Sequence, residues 1–175
     1  METETPRHDI TGVILAGGRA RRMGGIDKGL ILLNGKPMVE YVIAALRAEI
    51  DNLLINVNRN REQYAAFGYP VIPDIMDGYL GPLAGMASGM RAVGSKYIVT
   101  APCDSPLIPV NLVQRLYEAL AREGADISVA HDGERMHPVF ALIRRDLLPS
   151  LLDFLNAGQR KIDRWYAQHR LAVAY

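Results

Sequence analysis

Cysteine is nearly absent from this chain: Cys103 is the only one among 175 residues. No intramolecular disulfide can form, and a reducing compartment is permitted. An excess charge of either sign is also missing. The formal net charge is +1, which argues against general binding to nucleic acid or to a membrane surface, since either needs a larger basic excess. No apolar run approaches the roughly 20 residues that span a bilayer. Residues 1–9 are polar and lack the apolar centre of a signal peptide. These absences make a cytoplasmic protein the expectation. There are no internal repeats, low-complexity tracts or linkers. With 49% hydrophobic and 22% charged residues, the chain is expected to form one domain over 10–175 behind a polar tail over 1–9.

Glycine and cations are concentrated in one place. The apolar run Gly12-Val13-Ile14-Leu15-Ala16 leads into Gly17-Gly18-Arg19-Ala20-Arg21-Arg22-Met23-Gly24-Gly25-Ile26-Asp27-Lys28. The run shows no polar alternation, so it reads as a strand buried on both faces, as in a parallel sheet. A glycine loop at the carboxyl end of such a strand lets backbone N–H groups approach phosphate oxygens without an intervening Cβ. Arg22 and Lys28 are suited to neutralise phosphate charge there. A Walker loop is excluded, because Lys28 is followed by Gly29 rather than by a hydroxyl residue. A dinucleotide fingerprint is excluded by Arg19, Arg21 and Arg22 where its third glycine and helix should follow. The plainer reading is a surface loop with solvated arginines.

Periodicity gives the rest of the fold. Helices are expected over 37–48, with Val39, Val42, Ile43 and Leu46 as the buried stripe, over 59–67 and ended by Gly68, and over 85–93. A fourth helix would carry Pro109 in its first turn and bury Leu112, Val113, Leu116 and Leu120. Two more fall at 146–156 and 161–169. Strands are expected at 53–57, 71–72, 96–101, 127–130 and 139–143. This alternation implies a three-layer αβα, Rossmann-like α/β domain with a mainly parallel sheet.

Asp104 follows the apolar strand that ends in Ala101, so its carboxylate should leave the same sheet edge as the glycine loop. Magnesium takes hard oxygen ligands, often one or two carboxylates together with waters and substrate phosphates, and Asp104 suits that role. The alternative is an Asp capping the Ser105-Pro106 turn. Cys103 reads as a small buried filler, because phosphoryl-type transfer needs no covalent intermediate.

The pattern L-A-G-G-x-x-x-R-M-G-x-x-D-K resembles the signature of the nucleotidyltransferases, and in particular the MobA family of molybdenum cofactor guanylyltransferases. Further segments fall in the family's order: Asn34-Gly35-Lys36-Pro37, Asn56-Val57-Asn58-Arg59, Pro73-Asp74, Gly81-Pro82-Leu83-Ala84-Gly85-Met86, Pro102-Cys103-Asp104-Ser105-Pro106 and His131-Asp132-Gly133-Glu134-Arg135 with His137-Pro138. The resemblance implies that Leu15, Ala16, Gly17, Gly18, Lys28, Asn56, Asp74 and Asp104 bind a guanine nucleotide, with Asp104 also holding Mg2+. Read from the residues alone, Asn56 offers a donor and an acceptor to a base or is a turn Asn, and Asp74 accepts from guanine or ribose or caps a turn. Arg160 matches a family arginine on the pterin side or is a solvated arginine at a helix start. His137 lies in a family loop, where a lone histidine is more often structural.

The implied reaction is transfer of GMP from GTP to the terminal phosphate of molybdopterin, with Arg22, Lys28 and Asp104 as the catalytic set. GTP and molybdopterin are the implied partners, followed by a molybdenum insertase and recipient molybdoenzymes. Relatives using CTP resemble Leu-Ala-Ala-Gly at the loop, so Leu15-Ala16-Gly17-Gly18 points to GTP. A CTP-dependent enzyme, one with another acceptor, and a GTP-binding adaptor without catalysis remain the alternatives. One departure stands: the family carries an Asn-x-Asn-Thr motif near its C-terminus, on the pterin side, and this sequence ends at Tyr175 without it.

Overall fold

The structure, a computed structural model, describes residues 4–17, 27–76 and 81–175. Its centre is β1 (Ile10–Leu15), whose residues are buried along almost the whole strand. Parallel partners flank it on both sides, β4 (Asn52–Asn56) and β6 (Tyr97–Pro102). A strand so enclosed has no solvent face, which is why its sequence lacks alternation. The full sheet has seven strands in the order β5-β4-β1-β6-β8-β7-β9. Here β5 is Val71–Ile72, β7 Ile127–His131, β8 Met136–Arg144 and β9 Leu171–Ala174.

The expected three layers are present. Helices α1 (Met38–Arg47), α2 (Arg61–Ala65) and α4 (Leu112–Glu123) cover one face, where Ile14, Val42, Leu46, Tyr64 and Leu116 share a core. Helices α3 (Pro82–Ala92), α5 (Leu148–Asn156) and α6 (Ile162–Tyr166) cover the other, around Val13, Met86, Phe154 and Trp165. The apolar stripe of α1 is the expected one, Val39, Val42, Ile43 and Leu46. Among the described residues no helix is long and apolar enough to cross a membrane.

Several boundaries differ from the sequence reading, each for a local reason. Pro109 lies outside α4. The carboxylate of Glu49, beyond the end of α1, accepts the N–H groups of Val113 at 2.9 Å and Gln114 at 3.0 Å, a cap supplied from a distant segment that starts the helix at Leu112. Helix α2 begins at Arg61 because Asn60 takes a left-handed φ of 57°. Helix α6 is shorter than 161–169; a turn follows Tyr166, and beyond it β9 pairs in parallel with β7. That short strand carries no turn signal of its own. The segment Asn34-Gly35, with φ of 53° and 78°, makes a tight hairpin between β2 (Leu32–Leu33) and β3 (Lys36–Pro37), as left-handed residues at a two-residue loop favour. Strand β8 starts at Met136, earlier than expected, and is antiparallel to both β6 and β7. The sheet is therefore mainly, not wholly, parallel.

Close approach of α3 to the sheet depends on its small residues. A Cβ placed at Gly89 would lie 2.7 Å and 2.9 Å from the methyl carbons of buried Val13. Alanine at 89 gains roughly 1 kcal/mol of helix propensity, but overpacking a tight core costs about 1–3 kcal/mol. The clash should win. Gly89→Ala is expected to melt about 2–4 °C below wild type, corresponding to a net loss of about 1 kcal/mol in a domain of this size. Gly94→Ala, with nothing within 4 Å of the added carbon, is the control and should not fall. Gly89→Ala melting at or above wild type would contradict this packing account.

Candidate active site

The parallel strands β5, β4, β1 and β6 all end at one sheet edge, and that edge gathers most of the residues singled out in the sequence. Leu15, the last residue of β1, accepts the Cys103 N–H at 3.1 Å, and the Ala16 N–H donates to the Asn56 carbonyl at 2.8 Å. The exits of β1, β4 and β6 are thereby pinned side by side. Gly17 follows directly, whereas Gly18 and Arg22 lie outside the described residues.

At the β4–β5 end the side chains interlock. Asn56, only 2% exposed, uses both amide hydrogens: Nδ2 donates to Asp74 Oδ1 at 2.9 Å and to the Ile72 carbonyl at 3.4 Å. It therefore presents its carbonyl oxygen rather than both kinds of group. Asn58 Nδ2 donates to Asp74 Oδ2 at 3.0 Å and to the Gly17 carbonyl at 3.4 Å, and Asn58 Oδ1 accepts the Asp74 N–H at 2.8 Å. Asp74 is thus held by two carboxamides, and no helix begins at it. The Asn56 oxygen sits between two glycines. A Cβ at Gly17 would be 3.1 Å from it, and one at Gly85, in α3, would be 2.5 Å away.

On the other side of β1, Asp104 stands half-buried just past β6. Among the described residues its carboxylate makes no hydrogen bond or ion pair, so it does not serve as a turn cap here. Lys28 is exposed in a 3-10 turn (Lys28–Leu30). That turn is fixed by Asp27, whose Oδ1 accepts the Gly29 N–H at 3.1 Å and the Tyr64 hydroxyl at 2.5 Å, while Oδ2 accepts from Asn60 at 3.2 Å. Gly29 packs against Cys103, where an added Cβ would lie only 3.0 Å from the sulfur. Lys28 and Asp104 are therefore each one residue from a shared contact.

Cys103 is buried, and burial, with the charges of Asp104 and Asp27, pushes its thiol up to about 12. It is neutral at physiological pH and is not a nucleophile. Burial likewise pushes the Tyr64 phenol up, so it remains a hydrogen-bond donor to Asp27.

Among the described residues no three His, Cys, Asp or Glu side chains converge into an all-protein metal cage. The donor set fits a hard divalent ion held by the Asp104 carboxylate and completed by substrate phosphates and water. Arg160 lies in the connection between α5 and α6, and no contact ties it to the site residues among the described residues. There its guanidinium turns back on the helix, donating to the Leu155 carbonyl at 3.0 Å and the Gln159 carbonyl at 2.7 Å.

Three residues of this arrangement carried no role in the sequence reading. Asn58 was detectable as a second carboxamide two residues after Asn56, and Asp27 as a turn-forming Asp before Lys28-Gly29. Tyr64 gave no signal beyond its place in the helix expected over 59–67.

Comparison with known proteins gives the family and the fold. The family model described as MobA-like NTP transferase domain matches residues 12–173. A molybdenum cofactor guanylyltransferase of Shewanella sediminis is 52% identical over 165 residues, 94% of this chain and 84% of that protein. The solved molybdopterin-guanine dinucleotide biosynthesis protein A of Archaeoglobus fulgidus superposes with a TM-score of 0.75 at 22% identity, covering 93% of this chain and 82% of that one. A Mycobacterium tuberculosis protein solved in complex with manganese shares the fold at a TM-score of 0.67 and 18% identity, covering 94% of this chain and 86% of its own. The chain belongs to the MobA-like NTP transferase family.

Proposed function

We propose that this chain transfers GMP from GTP to the terminal phosphate of molybdopterin, releasing pyrophosphate and forming molybdopterin guanine dinucleotide. One observation carries the reading. A carboxamide–carboxylate lattice suited to a purine edge (Asn56, Asn58, Asp74) and a carboxylate unpaired among the described residues and suited to a metal (Asp104) lie on opposite sides of the same strand end. A nucleoside triphosphate laid across β1 would meet both. The 52% identity to a named guanylyltransferase supports the choice of substrates.

In this reading the base lies at the β4–β5 end, with Asp74 accepting from guanine and the Asn56 oxygen fixing the base plane. The triphosphate crosses Leu15, Ala16 and Gly17, where backbone groups approach it without a Cβ in the way. The acceptor phosphate oxygen forms a new bond to the α-phosphorus as the bond to the β-phosphate oxygen breaks. Negative charge then moves onto pyrophosphate, where Lys28 and, on the sequence reading, Arg22 stabilise it. Nucleotidyl transfer generally needs a divalent metal, and a fold neighbour was solved with manganese. We assign the ion as Mg2+ on Asp104, where it would supply charge neutralisation and orientation of the phosphates. No side-chain nucleophile is needed, because alignment and charge stabilisation supply most of the catalysis.

Asp104→Asn tests the metal role. Asn keeps the shape and leaves the fold intact, so the melting temperature should stay at the wild-type value. Single-turnover guanylyl transfer should fall about a hundredfold, the scale of losing one charge-stabilising group, and GTP affinity should lose most of its Mg2+ dependence. A variant that melts normally and transfers at near wild-type rate would remove Asp104 from the role.

Base selectivity gives a second test. GTP should bind wild type far more tightly than CTP or ATP, since a site built to pair a base's polar edge rejects one that leaves those groups unpaired. In Gly17→Ala the new methyl would press on Asn56 and Asn58, both locked by Asp74. Calorimetry should then show GTP affinity falling about tenfold or more and CTP affinity falling less. Equal affinities of wild type for GTP and CTP would contradict the assignment of the base end.

A further inference from the structure

The antiparallel strand β8 brings a second constellation to the same edge. Because β8 runs against its neighbour β6, its first residues, Met136 and His137, lie at the edge where β6 delivers Asp104. His137 Nε2 is 2.7 Å from Asp132 Oδ2, across the turn joining β7 to β8. The other carboxylate oxygen, Asp132 Oδ1, accepts the N–H groups of Glu134 at 2.8 Å and Arg135 at 2.9 Å. The Arg135 backbone donor, His137 and the Glu134 donor hold Asp132 well below the usual carboxylate range. The imidazole is thus oriented by a carboxylate that stays ionised, an arrangement that fixes ring and tautomer. Its other nitrogen, Nδ1, has no hydrogen-bond partner among the described residues.

The surroundings also fit a ligand. The pairing of β7 with β8 shifts register between Val129 and Ala130, an irregularity that breaks the regular ladder next to His137. The Tyr166 hydroxyl donates to the Pro138 carbonyl at 2.6 Å, which fixes the backbone beside His137. Asp132 and His137 line a cavity of about 460 Å3 walled by Leu107, Leu112 and Phe140, within the size range of small-molecule sites. Along the edge the strand order places Asp74 and Asn56 first, then Gly17, Asp104 and His137.

From this order we propose that His137, positioned by Asp132, binds the phosphomonoester of the acceptor on the side of Asp104 away from the base. The body of the acceptor, a flat heterocycle, extends into the adjoining cavity. When the phosphate docks, Nε2 stays paired with Asp132 and Nδ1 faces the phosphate. A charge-assisted bond there orients the attacking oxygen. The inference rests on the guanylyl-transfer reading only for the acceptor's identity. Asp132 is a positioning residue, and His137 is the one that touches substrate.

The test separates acceptor from nucleotide. In transfer assays with GTP, Mg2+ and molybdopterin, His137→Ala should lower kcat/KM for molybdopterin roughly ten- to a hundredfold, the scale of one hydrogen bond to a charged group. Its GTP affinity and melting temperature should match wild type. Asp132→Asn should shift the same constant in the same direction by a smaller factor. If His137→Ala melts low, His137→Gln, which keeps a polar side chain of similar reach, takes its place. The binding readout needs no turnover: in wild type the His137 ring-proton NMR resonance should move on adding molybdopterin and stay in place on adding GTP with Mg2+. A shift with pterin but no guanylyl transfer would uphold this site and sink the reaction assigned above. A wild type that transfers guanylyl, beside a folded His137 variant with unchanged acceptor kcat/KM, would overturn the proposal and leave the reaction standing. A resonance that moves with GTP alone, or with neither ligand, would also overturn it.

Discussion

The parallel pairing of β1 with both neighbours is the constraint on which everything else hangs. Its register sets Leu15 opposite Asn56 on one side and opposite Pro102 on the other. Three chain exits, at Ala16-Gly17, Val57-Asn58 and Cys103-Asp104, must therefore leave the sheet at the same height. In antiparallel pairing alternate strands would leave from opposite edges. The pairing demands apolar residues on both faces, and it demands that α3 come close. Gly89 accommodates Val13 and Gly85 accommodates Leu15 and the Asn56 carbonyl. Packing in the core and geometry in the site are set by the same helix.

Much of this was legible in the sequence because it depends on local chemistry. The unalternating run Gly12 to Ala16 marked a strand buried on both faces, and Gly17 follows at that strand's end. Asp104 was placed by the apolar run before it, and the buried stripe of α1 by its spacing. What escaped the sequence was made by distant partners. The start of α4 is set by Glu49, more than sixty positions away, so Pro109 gave a false boundary. Asn58 and Tyr64 acquire their roles only once Asp74 and Asp27 reach them. Asn56 looked able to donate and accept, yet Asp74 and the Ile72 carbonyl consume both of its amide hydrogens. Strand β9 is four residues long and exists because β7 offers it an open edge.

The edge divides into chemically distinct stretches along its length. Neutral carboxamides around one carboxylate fill the β4–β5 end, which favours selective hydrogen bonding over bulk charge. On the proposed reading, the middle, at Gly17, Lys28 and Asp104, serves the phosphates and the metal. The thiol of Cys103 is buried and closed in by Gly29 and Tyr64.

The central claim is that a nucleotide lies across the carboxyl ends of β4, β1 and β6. Backbone amide NMR shifts recorded on adding GTP and Mg2+ test it most directly. The account predicts large changes at Ala16, Gly17, Lys28, Asn58, Asp74 and Asp104, and none at Asp9, Ser95 or Lys96 on the opposite edge. Changes concentrated on that opposite edge, or confined to the turn between β7 and β8, would contradict it.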